Sequence, residues 1–499
     1  MNFLQISPFK HLLTHSRFLL TLRSEQGKYH NLILFRLSEA IGSREARSET
    51  STLVAPQKSK GLLENREIYA MNATCPHLGA DMSHAEIEEC EDTTVAVCPW
   101  HRYDFDLRTG KSETGLSTCT YAVEVKTDPV DDVEKVYLET PSGGSNWRLI
   151  ELRPVSEEFA DPPPAASHTP VQINPVVPGS PSTEPVVPIE NPPKTLMHWA
   201  VLILNTANPT LKVMRTRHAV QLFRTGKLDS IGHRSSSAPR PPEIPPREEG
   251  FLKNTVNPGK VKGRKNLAVM LHALANVEHR IDLAWDIMAR FGPLHPDLPP
   301  AFFSDFTKMA LDESKHFSLL TSRLSATSPA TPYGSMPVHA SLWESATITS
   351  HSLRSRLAII HLVHEARGLD VNPGTIERFR RAGDKASVSA MEIIHADEVT
   401  HVTSGHRWFT WLCEKQGNVD PVETFRDEVR RGWRGNVKGP FNIEDREKAG
   451  LTPEFYEHLT GEMDEGEMEE RKGGFKLDAG LKELKLEGPE VNVEYEAKV

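Results

Sequence analysis

The chain has 499 residues, with 38% hydrophobic and 25% charged side chains and a formal net charge of −10. At roughly 150 residues per domain this is about three units' worth of chain, which excludes a single small module, and the lean apolar content predicts folded domains plus linker or tail. The longest apolar run beside a tryptophan, residues 199–204, is far short of the ~20 residues of a spanning helix, and five cysteines are too few and odd for a disulfide framework.

Residues 1–24 lack any acid and carry Lys10, Arg17 and Arg23 among leucines and serines. That composition suits a mitochondrial presequence, but the plainer reading is an irregular N-terminus of a cytoplasmic protein. From 31 to 153 short β-type runs alternate with Gly, Pro and charged turns, predicting a small all-β domain. Residues 154–194 form a Pro-rich linker, with twelve of the 37 prolines between 154 and 193. From 195 to 459 the period becomes 3.6, with helices expected over about 196–204, 211–223, 266–290, 301–324, 342–369, 373–383 and 388–414. Residues 460–499, with twelve acids against six bases, read as a solvated acidic tail.

Within the β region stand Cys75-Pro-His77-Leu-Gly-Ala80 and, with twenty residues between His77 and Cys98, Cys98-Pro-Trp-His101. Two thiolates can hold one iron of a [2Fe–2S] cluster and two imidazoles the other. A structural zinc with the same four donors is the alternative, for which C-x-H is an unusual spacing. The pair of boxes, with Tyr103-Asp-Phe105 and Gly110 following, closely resembles a Rieske domain. Ala80 and Trp100 stand where respiratory Rieske proteins carry a disulfide, so the resemblance is to the ferredoxin and oxygenase branch. Arg102 replaces the usual glycine after the second histidine.

In the α region acids fall in the middle of apolar stripes. Leu267, Leu271, Leu274, Glu278, Ile281, Trp285 and Met288 share one helical face. So do Phe302, Phe306, Met309, Glu313, His316 and Leu320; Ala358, Leu362, Glu365 and Leu369; and Met391, Ile394, Glu398, His401, Gly405, Trp408 and Leu412. A lone carboxylate in such a stripe is expensive to bury. Two helices offer one Glu and two offer Glu-x-x-His, the inward-facing donor set of ferritin-like dinuclear carboxylate bundles. A rival pair, Glu392-x-x-His395, lies one turn earlier on the last helix; we place Glu398 and His401 at the metal and His395 in a supporting role. Hard carboxylates with imidazoles suit two iron ions before manganese.

The segments His272-Ala-Leu-Ala-Asn-Val-Glu278, Ile281-Asp-Leu-Ala-Trp-Asp286, Asp312-Glu-Ser-Lys-His-Phe317, His364-Glu-Ala-Arg-Gly-Leu-Asp370 and Asp397-Glu-Val-Thr-His-Val402 resemble the ferritin-like DUF455 group. Its distant relatives include diiron tRNA hydroxylases, so the resemblance implies metal-dependent oxygen chemistry without naming a substrate. The family's first-helix segment has one more residue before the Ile-Asp pair, which leaves Asp282 as the alternative to Glu278.

The sequence therefore predicts an all-β Rieske domain followed by an all-α ferritin-like four-helix bundle. The expected activity is that of a diiron oxygenase acting with O2 on a small organic substrate, with its ferredoxin in the same chain. No G-x-G-x-x-G follows a strand, so electrons are expected from an external reductase. An iron-handling or peroxide-reducing protein is one alternative and a tRNA-modifying hydroxylase another. Residues 215–265 carry twelve bases against four acids, enough to grip phosphate or to meet the acidic stretch 81–161.

Overall fold

The computed structural model describes residues 2–37, 67–90, 93–129, 131–155, 184–248, 267–277, 281–336, 341–417, 419–464, 466 and 468. The chain divides into two compact units, one built of strands and one of helices. No helix among the described residues is long and apolar enough to cross a membrane.

The β unit starts earlier than residue 31, where the alternating pattern becomes readable. Strands β1 (Phe3–Pro8) and β2 (Arg17–Arg23) precede β3 (Tyr29–Arg36) and β4 (Ile68–Asn72). They are followed by β5 (Glu86–Cys90), β6 (Thr93–Val97), β7 (Asp104–Asp106), β8 (Thr120–Tyr121), β9 (Val123–Thr127), β10 (Glu134–Glu139) and β11 (Arg148–Pro154). Three sheets run in the orders β1-β10-β9, β11-β2-β3-β4-β8 and β5-β6-β7, with antiparallel pairings. Phe3 pairs with Glu139, and β2 lies between β11 and β3, so the N-terminal residues are integral to the sheets.

Strand β3 is apolar on both faces because it serves two cores. Leu32 and Leu34 join Phe18, Leu20, Leu22, Val136 and Leu138, while Ile33 and Phe35 point the other way, to Met71, Cys75, Ala96, Cys98 and Phe105. Alternation at period two thus sends one strand into the sheet core and into the core beneath the cysteine loops.

The helical unit contains α1 (Leu196–Leu204), α2 (Pro209–Arg224), α3 (Leu267–Val277), α4 (Ile281–Phe291), α5 (Pro300–Thr327) and α6 (Ser341–Ile348). The short α7 (Leu353–Arg356) runs into a π-helical stretch, Leu357–Glu365, and on into α8 (Ala366–Arg381). Next come α9 (Lys385–Lys415), α10 (Pro421–Gly432), α11 (Ile443–Lys448) and α12 (Pro453–Tyr456). Helix α5 packs on α3, α4 and α9, and α9 packs on α8 and the π-helical stretch. Its start is fixed by Asp384, whose side chain accepts from the Ser387 N–H.

Several expected boundaries shift. The helix expected over 266–290 is described as α3 and α4, with 278–280 outside the described residues. The helix expected to restart at Pro373 is continuous with Glu365, and Pro373 sits inside α8. A proline there leaves the Leu369 carbonyl without its i+4 donor. The Asn442 side-chain amide donates to that carbonyl at 3.2 Å, so a contact from another element supplies the missing bond. Beyond residue 459, Thr460–Glu462 pairs with Arg434–Asn436 and Met463 is buried, so folded structure continues into the expected tail. Of the expected linker, 156–183 lie outside the described residues.

At the start of the basic stretch 215–265 and just before it, cations are turned inward. Lys212 is buried against Asp282, and the buried Arg215 guanidinium donates to Thr206 Oγ1 (2.7 Å), the Pro185 carbonyl (3.0 Å) and Glu184 (3.1 Å). These cations are spent within the helical unit and are not offered to phosphate.

Candidate metal centres

In the β unit, Cys75 follows β4 and Cys98 follows β6, and the two loops close alike. The Gly79 N–H donates to the Cys75 carbonyl (2.8 Å) and the Arg102 N–H to the Cys98 carbonyl (3.0 Å). Both closing residues are left-handed, Gly79 at φ 78° and Arg102 at φ 55°. Arg102 therefore keeps the backbone shape that glycine gives more easily, and its guanidinium is held by Glu86 (2.7 Å) and Glu88 (2.6 Å) on β5.

Cys75 and Cys98 are buried and hydrogen-bond to each other, which pushes the Cys75 thiol up and brings Cys98 down to about 6. Backbone N–H groups of His77 and Leu78 serve the Cys75 sulfur, and those of Trp100 and His101 serve Cys98. The rings of His77 and His101 lie edge to face with centroids 4.9 Å apart, and His101 is exposed. His77 Nδ1 is buried without a hydrogen-bond partner among the described residues. Two adjacent buried sulfurs that share one proton, two adjacent imidazoles and one orphaned ring nitrogen fit the donor set of a [2Fe–2S] cluster with two cysteine and two histidine ligands.

In the helical unit Glu313, His316, Glu365, Glu398 and His401 are each at most 2% exposed, a burial that carboxylates tolerate only with compensating charge. Glu313, Glu398 and His401 each offer a donor atom, all within 4.8 Å of one another, and could hold a metal ion. His401 Nδ1 lies 3.2 Å from Glu313 Oε1, and His316 Nδ1 lies 3.9 Å from Glu313 Oε2. Burial alone would lower the His401 pKa, but Asp312 and Glu313, together with the charge of Glu398, hold it well above the usual histidine value. Glu365 is bound by His361, Nδ1 to Oε2 at 2.8 Å. Glu278 lies outside the described residues. Its alternative, Asp282, is committed to Lys212.

Three residues the stripes did not reveal organise this group. His316 Nε2 donates to Asp397 Oδ2 (2.8 Å), and His401 Nε2 donates to Asp312 Oδ2 (3.3 Å). Each aspartate precedes the glutamate of its own Glu-x-x-His and supports the histidine of the other helix. Lys315 lies between them, 2.7 Å from Asp397 and 3.6 Å from Asp312. The signal was present as Asp-Glu-x-x-His in both helices, but the crossing needs the helices face to face. Donation from Nε2 leaves Nδ1 of each ring as the metal-facing nitrogen. His395, expected in support, instead meets Asp445 (3.0 Å), and Glu392 is an exposed partner of Arg380 (3.1 Å). His272 accepts from the Gly334 N–H (2.9 Å) and His364 meets Ser345 (2.8 Å).

A human Rieske domain-containing protein is 32% identical over 66 residues, 13% of this chain and 42% of its own length. A Haemophilus influenzae protein described as uncharacterized is 36% identical over 191 residues, 37% of this chain and 65% of its own length, so the chain spans less than two thirds of either relative. A crystal structure from Mycobacterium tuberculosis, assigned as the small subunit of an NADH-dependent nitrite reductase, is 14% identical with a TM-score of 0.19, covering 28% of this chain and 96% of that one. A family model described as a soluble Rieske-type ferredoxin matches residues 47–123, which gives the chain a redox, electron-transfer role and implies a [2Fe–2S] cluster. The model of the protein family DUF455, whose function is unknown, matches residues 205–457, half of the chain. The chain belongs to the DUF455 family, with a Rieske-type ferredoxin domain ahead of its DUF455 region.

Proposed function

We propose that the protein is a diiron oxygenase that inserts oxygen from O2 into a small organic substrate, with its Rieske-type domain as electron donor. The observation that carries this reading is the pairing, in one chain, of a two-cysteine, two-histidine loop pair with the buried group Glu313, Glu398 and His401. Cys75 and Cys98 would hold one iron of the cluster and His77 and His101 the other. Glu278, Glu313, His316, Glu365, Glu398 and His401 would together hold the two irons of the helical site. When bound, the cluster supplies single electrons and the dinuclear centre supplies reductive activation of O2.

The protein's own groups prepare that chemistry. Asp397 and Asp312 keep the protons of His316 and His401 on Nε2 and hold the rings in place. Lys315 neutralises charge on the supporting aspartates, so the inner glutamates are left to a metal cation. Phe306, Met309, Leu362, Met391 and Ile394, all buried on the same helix faces, exclude bulk water from the carboxylates. An external reductase feeds the cluster.

The test is anaerobic reduction of iron-loaded protein followed by O2, with iron counted and the cluster spectrum followed. The expected result is about four irons per chain and loss of the reduced Rieske signal on O2 addition. A chain that binds cluster iron alone, or whose cluster stays reduced while the helical iron is oxidised repeatedly, defeats the oxygenase reading. The second outcome favours an iron-handling protein.

A further inference from the structure

The imidazole of His361, which is not in the expected donor set, binds a candidate metal ligand, Glu365. We propose that His361 is a positioning residue for Glu365, donating its Nδ1–H to Oε2 and thereby fixing the orientation of the carboxylate toward a metal ion. The inference rests on the dinuclear reading above and extends it to a residue outside the expected donor set.

Four observations support it. His361 and Glu365 lie in the π-helical stretch Leu357–Glu365, at its middle and its end, and their side chains meet at 2.8 Å. Both are buried, so no water competes for the bond. His361 Nε2 is buried and has no hydrogen-bond partner among the described residues, so nothing else there claims the ring. The ring also has little room to turn. A Cβ on Gly405 of α9 would stand 2.4 Å from His361 Cβ, and the Phe306 ring lies with its centroid 5.3 Å from the imidazole. By contrast, His272, His364 and His395 hold a backbone N–H, a serine and a surface-side aspartate. The arrangement inverts the aspartate support of His316 and His401: here an imidazole steadies a carboxylate. With Oε2 held by the imidazole, the carboxylate keeps one orientation; without the bond that restraint on its orientation is lost.

The experiment is an anaerobic Co²⁺ titration of the full-length protein, followed by visible absorption and a competing chelator. His361→Asn places an amide N–H near the Nδ1 position, and His361→Gln places one near Nε2. His361→Ala is expected to weaken one cobalt-binding step by about 10–100-fold. The asparagine variant should recover most of that loss and the glutamine variant should not. Wild-type affinity in His361→Ala overturns the proposal, as does recovery by glutamine but not asparagine, which would make Nε2 the working atom. If the alanine variant unfolds, the Asn and Gln variants decide on their own. Wild-type protein that takes up fewer than two cobalt ions in its helical unit overturns the dinuclear reading and this inference with it; normal uptake by both wild type and His361→Ala overturns this inference alone.

Discussion

At the scale of single residues, the distinction that matters is between groups that face a metal and groups that merely share its helix. Asp397 holds His316 through Nε2, so Asp397→Ala should lower the affinity of the helical site for Co²⁺ or Fe²⁺ by about 10–100-fold. Glu392→Ala, which removes only an exposed partner of Arg380, should leave that affinity unchanged. Equal losses in the two titrations would mean that the Asp397–His316 bond does not tune the site. Asp282 tests the same distinction by another observable. Asp282→Asn strands the buried Lys212 ammonium, whose pKa burial lowers despite its partner, and should cost about 3–5 kcal/mol in urea unfolding. Metal content should stay at the wild-type level; loss of metal with little loss of stability would return Asp282 to the ligand set.

At the scale of elements, α9 and the π-helical stretch approach closely at Gly405. Gly405→Ala would place a methyl 2.4 Å from His361 Cβ, and moving either element apart should destabilise the helical unit by about 1–3 kcal/mol, read as a lower thermal midpoint. An unchanged midpoint would mean that the stretch yields freely. In the ligand loops, Arg102→Gly should hold or raise the melting temperature of the β unit and Arg102→Val should lower it, because the left-handed φ persists whichever residue stands there. What the sequence shows and hides follows from the range of the interaction. The Cys75, His77, Cys98 and His101 boxes are legible because the spacing of loop ligands is local. The burial of Glu313, Glu398 and His401 is legible because a 3.6-residue period marks an inward face. Strands β1 and β2 escape notice because their partners are elsewhere: Phe3 pairs with Glu139, and Arg17 with Phe35. Pro373 reads as a break because its remedy, Asn442, is 69 positions away in the chain. Within Leu357–Glu365, a π-helical turn carries the same apolar residues as an α-helical one, so the sequence does not announce it.

At the scale of the whole molecule, the two compact units predict separable losses. Cys98→Ser removes a sulfur from the cluster loops of the β unit, and the helical unit has buried apolar residues of its own. The variant should lose the [2Fe–2S] absorption and electron-spin signal while circular dichroism of the helices and their metal content persist. The same variant discriminates between uses of the helical site. If that site consumes O2 with electrons from the Rieske-type domain, Cys98→Ser should reduce reductase-driven O2 uptake to background even with the helical metals in place. A protein that oxidises Fe²⁺ takes its electrons from the iron itself, so its O2 uptake with added Fe²⁺ should proceed at the wild-type rate in Cys98→Ser. Parallel oxygen-electrode measurements, one driven by reductase and one by ferrous iron, separate the two. Reductase-driven uptake that survives loss of the cluster would remove the Rieske-type domain from the reaction, whatever metal the glutamates hold.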